Sequence, residues 1–480
     1  MAQDSEHLTQ QSEEGTESTG AIASPPQPSE PPDFPHQSGA IADFFEFNAL
    51  RTTMRNEVLA GITTFVTMAY ILAVNPGILS AAVFLQESGD LFGELAMATA
   101  LSAALATLVM GFYAKLPFVL APGMGVNAYF AFTVVLGLGI DWRIALAAVF
   151  IEGIIFILMT ISNVRSKIVA AIPECIKHAT TAGIGLFIAY IALKNAGIIV
   201  ASEATFTTLG DLKSPPTLVA VIGILLTSAF VARRITGALL WGILATALLG
   251  WIIGAAPWPS GFIGVPPLPT DLFGQAFVGL GEVLSTSVWQ LFGVVFVFLF
   301  VDLFDTIGTL TGLGAKAGYI DEQGRFPGVE KAFMADAIGT TAGAVLGTST
   351  VTTYIESASG ISEGGRSGFT AVVAAALFAL SILFIPLLSG IPAFATTPAL
   401  LIVGVLMMTG VRRIRWEDPA ESIPSFLTIL IMPLSFSIAE GLAMGLIAFP
   451  LVKAFQGKRH ETTIGMWILA LIFLLRFVLI

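Results

Sequence analysis

Apolar residues occur along the chain in long runs that short polar connections separate. An α-helix needs about 20 apolar residues to cross the hydrocarbon core of a bilayer. Fourteen stretches fit this pattern, and a further apolar stretch, 464–480, is either a fifteenth span or a helix at the membrane interface. The pattern predicts an all-α polytopic membrane protein. The fourteen segments are 57–80, 93–113, 117–138, 143–163, 175–197, 217–233, 236–256, 287–312, 333–348, 351–362, 368–390, 394–411, 424–439 and 441–456.

The composition agrees with this class, because only 11% of the residues are charged, whereas about 25% is usual in soluble proteins. Nine acidic residues and no Lys or Arg precede Arg51, so most of the net charge of −11 belongs to the N-terminal tail. We expect residues 1–40 to be a disordered acidic tail, since few of them could bury apolar surface. The acidity therefore says little about the substrate.

The distribution of basic residues predicts an orientation. If the N-terminus is cytoplasmic and the segments alternate, 17 Lys and Arg residues fall on the cytoplasmic side and three fall outside. This asymmetry follows the positive-inside rule. We therefore expect a multi-pass protein of the cell membrane with a cytoplasmic N-terminus.

Fourteen segments divide into two halves of seven, and an odd-numbered repeat must insert its second copy upside down. We expect a first inverted repeat over 44–256, an extracytoplasmic connection over 257–286, a second repeat over 287–456, and a C-terminal tail with an apolar helix over 457–480. Gly, Pro, Ser and Thr interrupt the third segment of each half. Paired broken segments point to a substrate site near the membrane midplane.

Polar residues inside these apolar segments are the candidate site. The run FVFLFVDLFDTIG carries Asp302 and Asp305, and a carboxylate at the bilayer centre costs at least about 2.5–3.5 kcal/mol, so both should face the protein interior. The broken segments add an amide, hydroxyls, an acid and glycines that allow close backbone approach. The predicted substrate-binding residues are Asp302, Asp305, Glu356, Asn127, Gly125, Thr353 and Ser357, and the three acids are the candidate proton carriers.

Neither Lys nor Arg occurs among these residues in the sequence. Carboxyl groups in such a site can hold a proton near neutral pH, and they can accept hydrogen bonds from the N–H groups of a neutral heterocycle. One cysteine and four scattered histidines give no metal-binding pattern, so we expect no metal and no cofactor apart from a coupling proton.

Several motifs resemble one known family in the same order along the chain. They are EVLAGITTFVTMAYILAVNPGIL (57–79), LAPGMGVNAYF (120–130), IPECIKHATTAGIGLFIAYIALKNAGII (172–199), VDLFDTIGTLTG (301–312) and TSTVTTYIESASGISEGGRSG (348–368). Together they resemble the hypoxanthine–adenine–guanine permease branch of the xanthine/uracil permease (nucleobase–ascorbate transporter) superfamily.

The resemblance implies fourteen helices in two inverted repeats, with short strands in the third and tenth segments. Helices one to four and eight to eleven would form a core domain that moves against a gate domain of the others. A purine base would bind between the strands, with Asp302 or Asp305 as the helix-eight acid, Glu356 as the helix-ten acid and Asn127 as the helix-three polar residue. Ser357 follows Glu356 where the broader superfamily has Asn, which fits the purine branch better than the uracil or xanthine branches.

The leading interpretation is therefore a proton-coupled importer of guanine, hypoxanthine or adenine that works by alternating access. Its partners would be the base, membrane lipid and a second copy in a homodimer, with no nucleic acid. The alternative is a carrier of anions such as sulfate or bicarbonate on the same fold, which half-helix N-termini could attract. An intramembrane aspartyl hydrolase would need two carboxyls sharing a proton. The paired broken segments favour a transporter, so we expect no enzyme.

Overall fold

The computed structural model describes residues 37–84, 90–162, 172–264, 268–283, 287–320 and 326–479. The predicted disordered tail lies outside these ranges except for its last four residues, 37–40. Six residues of the predicted connection, 265–267 and 284–286, also lie outside them.

Seven apolar segments make up the first half of the chain, and side-chain caps fix several of their ends. The Thr53 hydroxyl accepts a hydrogen bond from the backbone N–H of Asn56 at 3.2 Å, and the Asp141 carboxylate accepts one from the N–H of Arg143 at 2.8 Å. The elements are α1 (Ala40–Phe44), α2 (Met54–Met68), α3 (Ile71–Leu79), α4 (Leu91–Val109, extended by a π-helical turn to Ala114), β1 (Leu120–Pro122), α5 (Met124–Ala128, extended by π-helical turns to Gly137), α6 (Trp142–Ile161), α7 (Glu174–Asn195), β2 (Ile199–Ser202), β3 (Phe206–Leu209), α8 (Pro215–Ala232) and α9 (Ala238–Ile252).

The second half repeats this order, with a strand and a short helix again in its third segment. Gly318 and Gly347 end two of its helices in the left-handed conformation that glycine adopts without steric cost. The elements are α10 (Gln275–Glu282), α11 (Val288–Ala317), α12 (Val329–Leu346), β4 (Val351–Thr353), α13 (Ser357–Ser362), α14 (Gly368–Ser381), α15 (Ile385–Ser389), α16 (Ala393–Met407), α17 (Pro419–Leu434), α18 (Ile438–Phe455) and α19 (Ile464–Leu479).

The two broken segments meet through their strands. β1 pairs antiparallel with β4, so that Leu120 lies opposite Thr353 and Pro122 lies opposite Val351. The third and tenth segments therefore run in opposite directions, which is the relation that an inverted repeat requires. The strand pair, both strands of which are buried, satisfies backbone groups that no helix could satisfy at this depth.

Nine helices in the described ranges are long and apolar enough to cross a membrane. Shorter apolar helices complete the third, seventh and thirteenth segments, α12 forms the ninth, and β4 with α13 forms the tenth. These elements confirm the predicted fold class, a helical membrane protein of fourteen segments in two inverted repeats. β2 and β3 form a hairpin between α7 and α8 that the sequence pattern did not predict.

The helices pack in two groups. One group contains α2, α4, α6, α11, α12, α13 and α14, and the other contains α7, α8, α9, α16, α17 and α18. Small residues bring helices of the second group close together: a Cβ added to Gly185 of α7 would lie 2.7 Å from the Met407 Cβ and 2.8 Å from the Gly404 oxygen. Close backbone approach of this kind is typical of helix packing in membranes.

The C-terminal helix α19 lies against the other helices of the fold. Its Met466 and Phe473 side chains are buried, and the Phe473 ring lies edge-on to the Phe296 ring of α11 at 5.4 Å. Before α19 begins, the buried Lys453 ammonium donates a hydrogen bond to Glu461 at 2.7 Å. This hydrogen bond lowers the pKa of the Glu461 carboxyl below its usual value.

Candidate substrate site

Both half-helices begin where the paired strands end. Gly123 precedes α5, and its N–H donates to the Thr350 carbonyl at 2.9 Å; Glu356 precedes α13. The first N–H groups of a helix have no partner within that helix, and the helix dipole places partial positive charge there. In α13 the first three N–H groups already donate to the carbonyls of residues 354–356. The junction therefore offers a ligand hydrogen-bond donors from the start of α5.

A cavity of about 720 Å³ lies at this junction, between the two helix groups. Its volume falls in the range of small-molecule sites, about 300–1,000 Å³. Met124, Phe304, Val403, Leu406 and Met407 supply apolar wall. The polar or small residues that line it include Gly123, Gly125, Asp305, Gly308, Thr309, Thr353 and Glu356 from the first group and His178, Thr181, Thr409, Arg412 and Arg413 from the second.

Two carboxyl groups face this cavity, and both are partly exposed to it. The Tyr70 hydroxyl donates to Glu356 Oε1 at 2.8 Å, which fixes the side chain and leaves Oε2 for a ligand. Asp305 lies one turn further along α11 than Asp302. Among the described residues, we find no protein donor that reaches the Asp305 carboxyl. The pair can therefore accept hydrogen bonds from a bound molecule.

Four of the seven predicted site residues, Asp305, Glu356, Gly125 and Thr353, line the cavity. The glycine has a packing role as well, since a Cβ added to it would lie 2.7 Å from the Ile184 Cγ2 of α7.

The other three predicted residues, Asp302, Asn127 and Ser357, are buried outside the cavity lining. Asn127 Oδ1 accepts a hydrogen bond from the Ser349 hydroxyl, and Ser357 Oγ accepts one from the Val119 N–H at 3.0 Å. These two side chains hold the broken segments together. The polar residues of α11 thus face different ways: Asp305 and Thr309 face the cavity, whereas Asp302 turns towards α6 and α12.

A polar network behind the strands supports the cavity. The Thr353 N–H and hydroxyl donate to Asp336 Oδ1 at 2.8 and 3.0 Å, and the Thr306 hydroxyl lies 2.8 Å from Asp336 Oδ2. Asp336 therefore fixes a residue of the cavity wall from the next layer. The sequence placed Asp336 inside a membrane segment, but it gave no sign that Thr353 would lie against it.

Basic residues also line the cavity. The site predicted from the sequence contained none. His178 near the start of α7 and Arg412 and Arg413 just after α16 line its second side. Both arginines are exposed. They lie at helix ends rather than within apolar runs, so the absence of basic residues from the central segments did not exclude them. In the described part of the chain, no group of three or more His, Cys, Asp or Glu side chains is arranged to hold a metal ion.

A cavity between two helix groups, at the meeting point of two broken helices, is typical of a membrane transport protein. The model of the Permease family matches residues 55–444, and the chain belongs to this family, so it is a transporter and not an enzyme.

Relatives of known name show which branch of this family the chain resembles most. The chain is 52% identical over 438 residues to the putative permease MJ0326 of Methanocaldococcus jannaschii, covering 91% of this chain and 98% of the relative. It is 41% identical over 442 residues to the adenine permease AdeP of Escherichia coli, covering 92% and 97%. It is 42% identical over 422 residues to the guanine/hypoxanthine permease PbuO of Bacillus subtilis, covering 87% and 95%. These relatives confirm the predicted resemblance to the purine permease branch.

A solved structure shows the same fold. The transmembrane domain of a cyanobacterium bicarbonate transporter, BicA, superposes with a TM-score of 0.59 over 82% of this chain and 97% of that domain. The two sequences are 14% identical, so this likeness concerns the fold alone.

Proposed function

We propose that the protein is a secondary active transporter that carries purine nucleobases into the cell together with protons. The observation that carries the proposal is the pair of cavity-facing carboxyls, Asp305 and Glu356, at the meeting point of two broken helices in a chain related to adenine and guanine/hypoxanthine permeases.

The cavity suits a flat, uncharged heterocycle. A purine base presents N–H donors and ring-nitrogen acceptors along its edges and apolar faces above and below. The two carboxyls would accept from the N–H groups, and the free N–H groups of α5 would donate to acceptors on the base. Phe304 and Met407 would contact the ring faces.

Alternating access follows if the two helix groups act as core and gate. The candidate carboxyls belong to the first group, and the second group closes the other side of the cavity. With a cytoplasmic N-terminus, His178, Arg412 and Arg413 would lie at cytoplasmic helix ends, so the cavity would face the cytoplasm. Movement of the first group along the second would carry the base across the cell membrane, and a dimer formed through the gate would keep the second group fixed.

Uptake in proteoliposomes tests the proposal. We would measure labelled hypoxanthine, guanine, adenine, uracil and sulfate with and without an inward proton gradient. We expect purines to accumulate only with the gradient and to be lost when a protonophore is added, while uracil and sulfate stay at the level of protein-free liposomes. Sulfate uptake without purine uptake would contradict the proposal and show that the protein is an anion carrier on this fold.

The control is Glu174→Gln. Glu174 is an exposed acid outside the cavity, and it accepts a hydrogen bond from Lys177 at 2.7 Å. This variant should transport purines as the unmodified protein does.

A further inference from the structure

Two buried carboxyl groups lie against each other behind the strands. Glu152 of α6 and Asp302 of α11 are both 0% exposed, and their carboxyl groups lie next to each other. One oxygen of each, Glu152 Oε1 and Asp302 Oδ2, has no hydrogen-bond donor among the described residues. Neither residue lines the substrate cavity.

The contact requires a proton. Ionised carboxylates only accept hydrogen bonds, so two of them in contact would repel each other and leave both facing oxygens unsatisfied. A single proton shared between them turns the contact into a hydrogen bond and removes one buried charge. Sharing of this kind also accounts for why these two oxygens lack any other donor.

Within the described ranges, the groups next to the pair do not supply a counter-charge. The titratable groups that face the pair from the packed helices are Asp336 of α12 and Asp305 of α11, and both are acids. The Thr306 hydroxyl lies 3.4 Å from Asp302 Oδ1 but only 2.8 Å from Asp336 Oδ2. One hydroxyl can donate only one hydrogen bond. Because Thr306 donates to Asp336, it does not stabilise a negative charge on Asp302.

The pair is connected to the cavity wall on two sides. The Thr350 hydroxyl, one residue before β4, donates to Glu152 Oε2 at 3.1 Å. On the other side, the Thr306 hydroxyl lies 3.4 Å from Asp302 and donates to Asp336, which holds Thr353 of the cavity wall. A displacement of β4 during transport would therefore change the hydrogen bonding of the pair.

We propose that Glu152 and Asp302 share one proton and that this pair, rather than the cavity acids Asp305 and Glu356, is the binding site of the transported proton. The coupling half of this inference rests on the proposed purine transport; the shared proton does not. Substrate and proton would thus occupy separate sites on the two faces of the strand pair, joined by Asp336 and two threonines.

Infrared spectroscopy of the purified protein tests the shared proton. We would compare the carbonyl stretch of protonated carboxyl groups at neutral pH in the unmodified protein, Glu152→Gln, Asp302→Asn, the double variant and the exposed control Glu174→Gln. An amide can donate to the remaining carboxylate, so each single variant should lose the band of one carboxyl. The double variant should lose no more than either single variant, and the control should lose nothing.

Two results would overturn the shared proton. An unchanged band in the double variant would mean that the pair holds no proton. Loss of two carboxyl bands in the double variant, against one in each single variant, would mean that each group carries its own.

Transport by Glu152→Gln tests the coupling role. Exchange of labelled purine at equal pH should remain, whereas accumulation driven by a pH gradient should fall to equal concentrations inside and outside. Accumulation at the unmodified level would overturn the coupling role. Loss of exchange as well as accumulation in both single variants would make the pair a structural element and overturn it too. If the unmodified protein exchanges no purine, the proposed function fails, and the infrared result still decides whether the proton is shared.

Discussion

Glu356→Gln replaces an acidic group of the cavity wall with a neutral one of nearly the same size. The Gln oxygen can still accept the hydrogen bond that the Tyr70 hydroxyl donates to Glu356 Oε1 at 2.8 Å, so the side chain should keep its position. What changes is the group that faces the ligand, because a carboxylate oxygen becomes an NH₂ group or loses its charge. The substitution therefore measures the ligand contact with little disturbance of the fold.

The magnitude follows from one hydrogen bond to a charged acceptor. Such a bond contributes about 1.5–3 kcal/mol, and about 1.4 kcal/mol corresponds to a tenfold change in affinity. We therefore expect the dissociation constant of the preferred purine to rise about 12- to 140-fold. An amide N–H pointing at an N–H of the base would place the loss at the upper end of this range.

Isothermal titration calorimetry of the purified variants with guanine, hypoxanthine and adenine measures this effect. Glu363→Gln is the matched control, because Glu363 follows the same short helix α13 but is exposed outside the cavity lining. Its affinity should equal that of the unmodified protein. An unchanged affinity in Glu356→Gln, with the control also unchanged, would show that Glu356 does not contact the base.

Three further substitutions test other parts of the structure. Asp305→Asn should abolish gradient-driven purine accumulation because it removes the second acceptor of the cavity; full accumulation at neutral pH would contradict this role. Glu57→Gln should destabilise the protein by about 1.5–3 kcal/mol, since the buried Glu57 carboxylate accepts hydrogen bonds from both the N–H and the hydroxyl of Thr370 (3.2 and 2.6 Å); thermal unfolding measures the loss, and an unchanged melting temperature would refute it. Gly185→Val should cost about 1–3 kcal/mol of stability through overpacking against Met407 and Gly404; normal unfolding and transport would show that α7 and α16 can separate.

The sequence was sufficient to predict the fold because its main determinants are local. Runs of apolar residues define the spans, and Pro and Gly beside Thr and Ser mark the two breaks. The short strands were expected only from the family resemblance, and only the structure shows that β1 pairs with β4, since each strand has just three residues.

The site was harder to predict because helical spacing shows which residues share a face but not what covers that face. Asp302 and Asp305 are three residues apart, yet α6 and α12 cover the first while the second faces the cavity. Tyr70 lies 286 positions from Glu356 along the chain, so only the tertiary structure shows their hydrogen bond. Glu152 lies 150 positions from Asp302 along the chain, so only the tertiary structure shows that their carboxyl groups are neighbours.

A structure determined by electron cryomicroscopy with guanine or hypoxanthine bound tests the central claim most directly. We predict density for one flat base between Asp305 and Glu356, beside the start of α5, with its ring faces against Phe304 and Met407. Density for the base elsewhere, with both carboxyls still facing an empty cavity, would contradict the account.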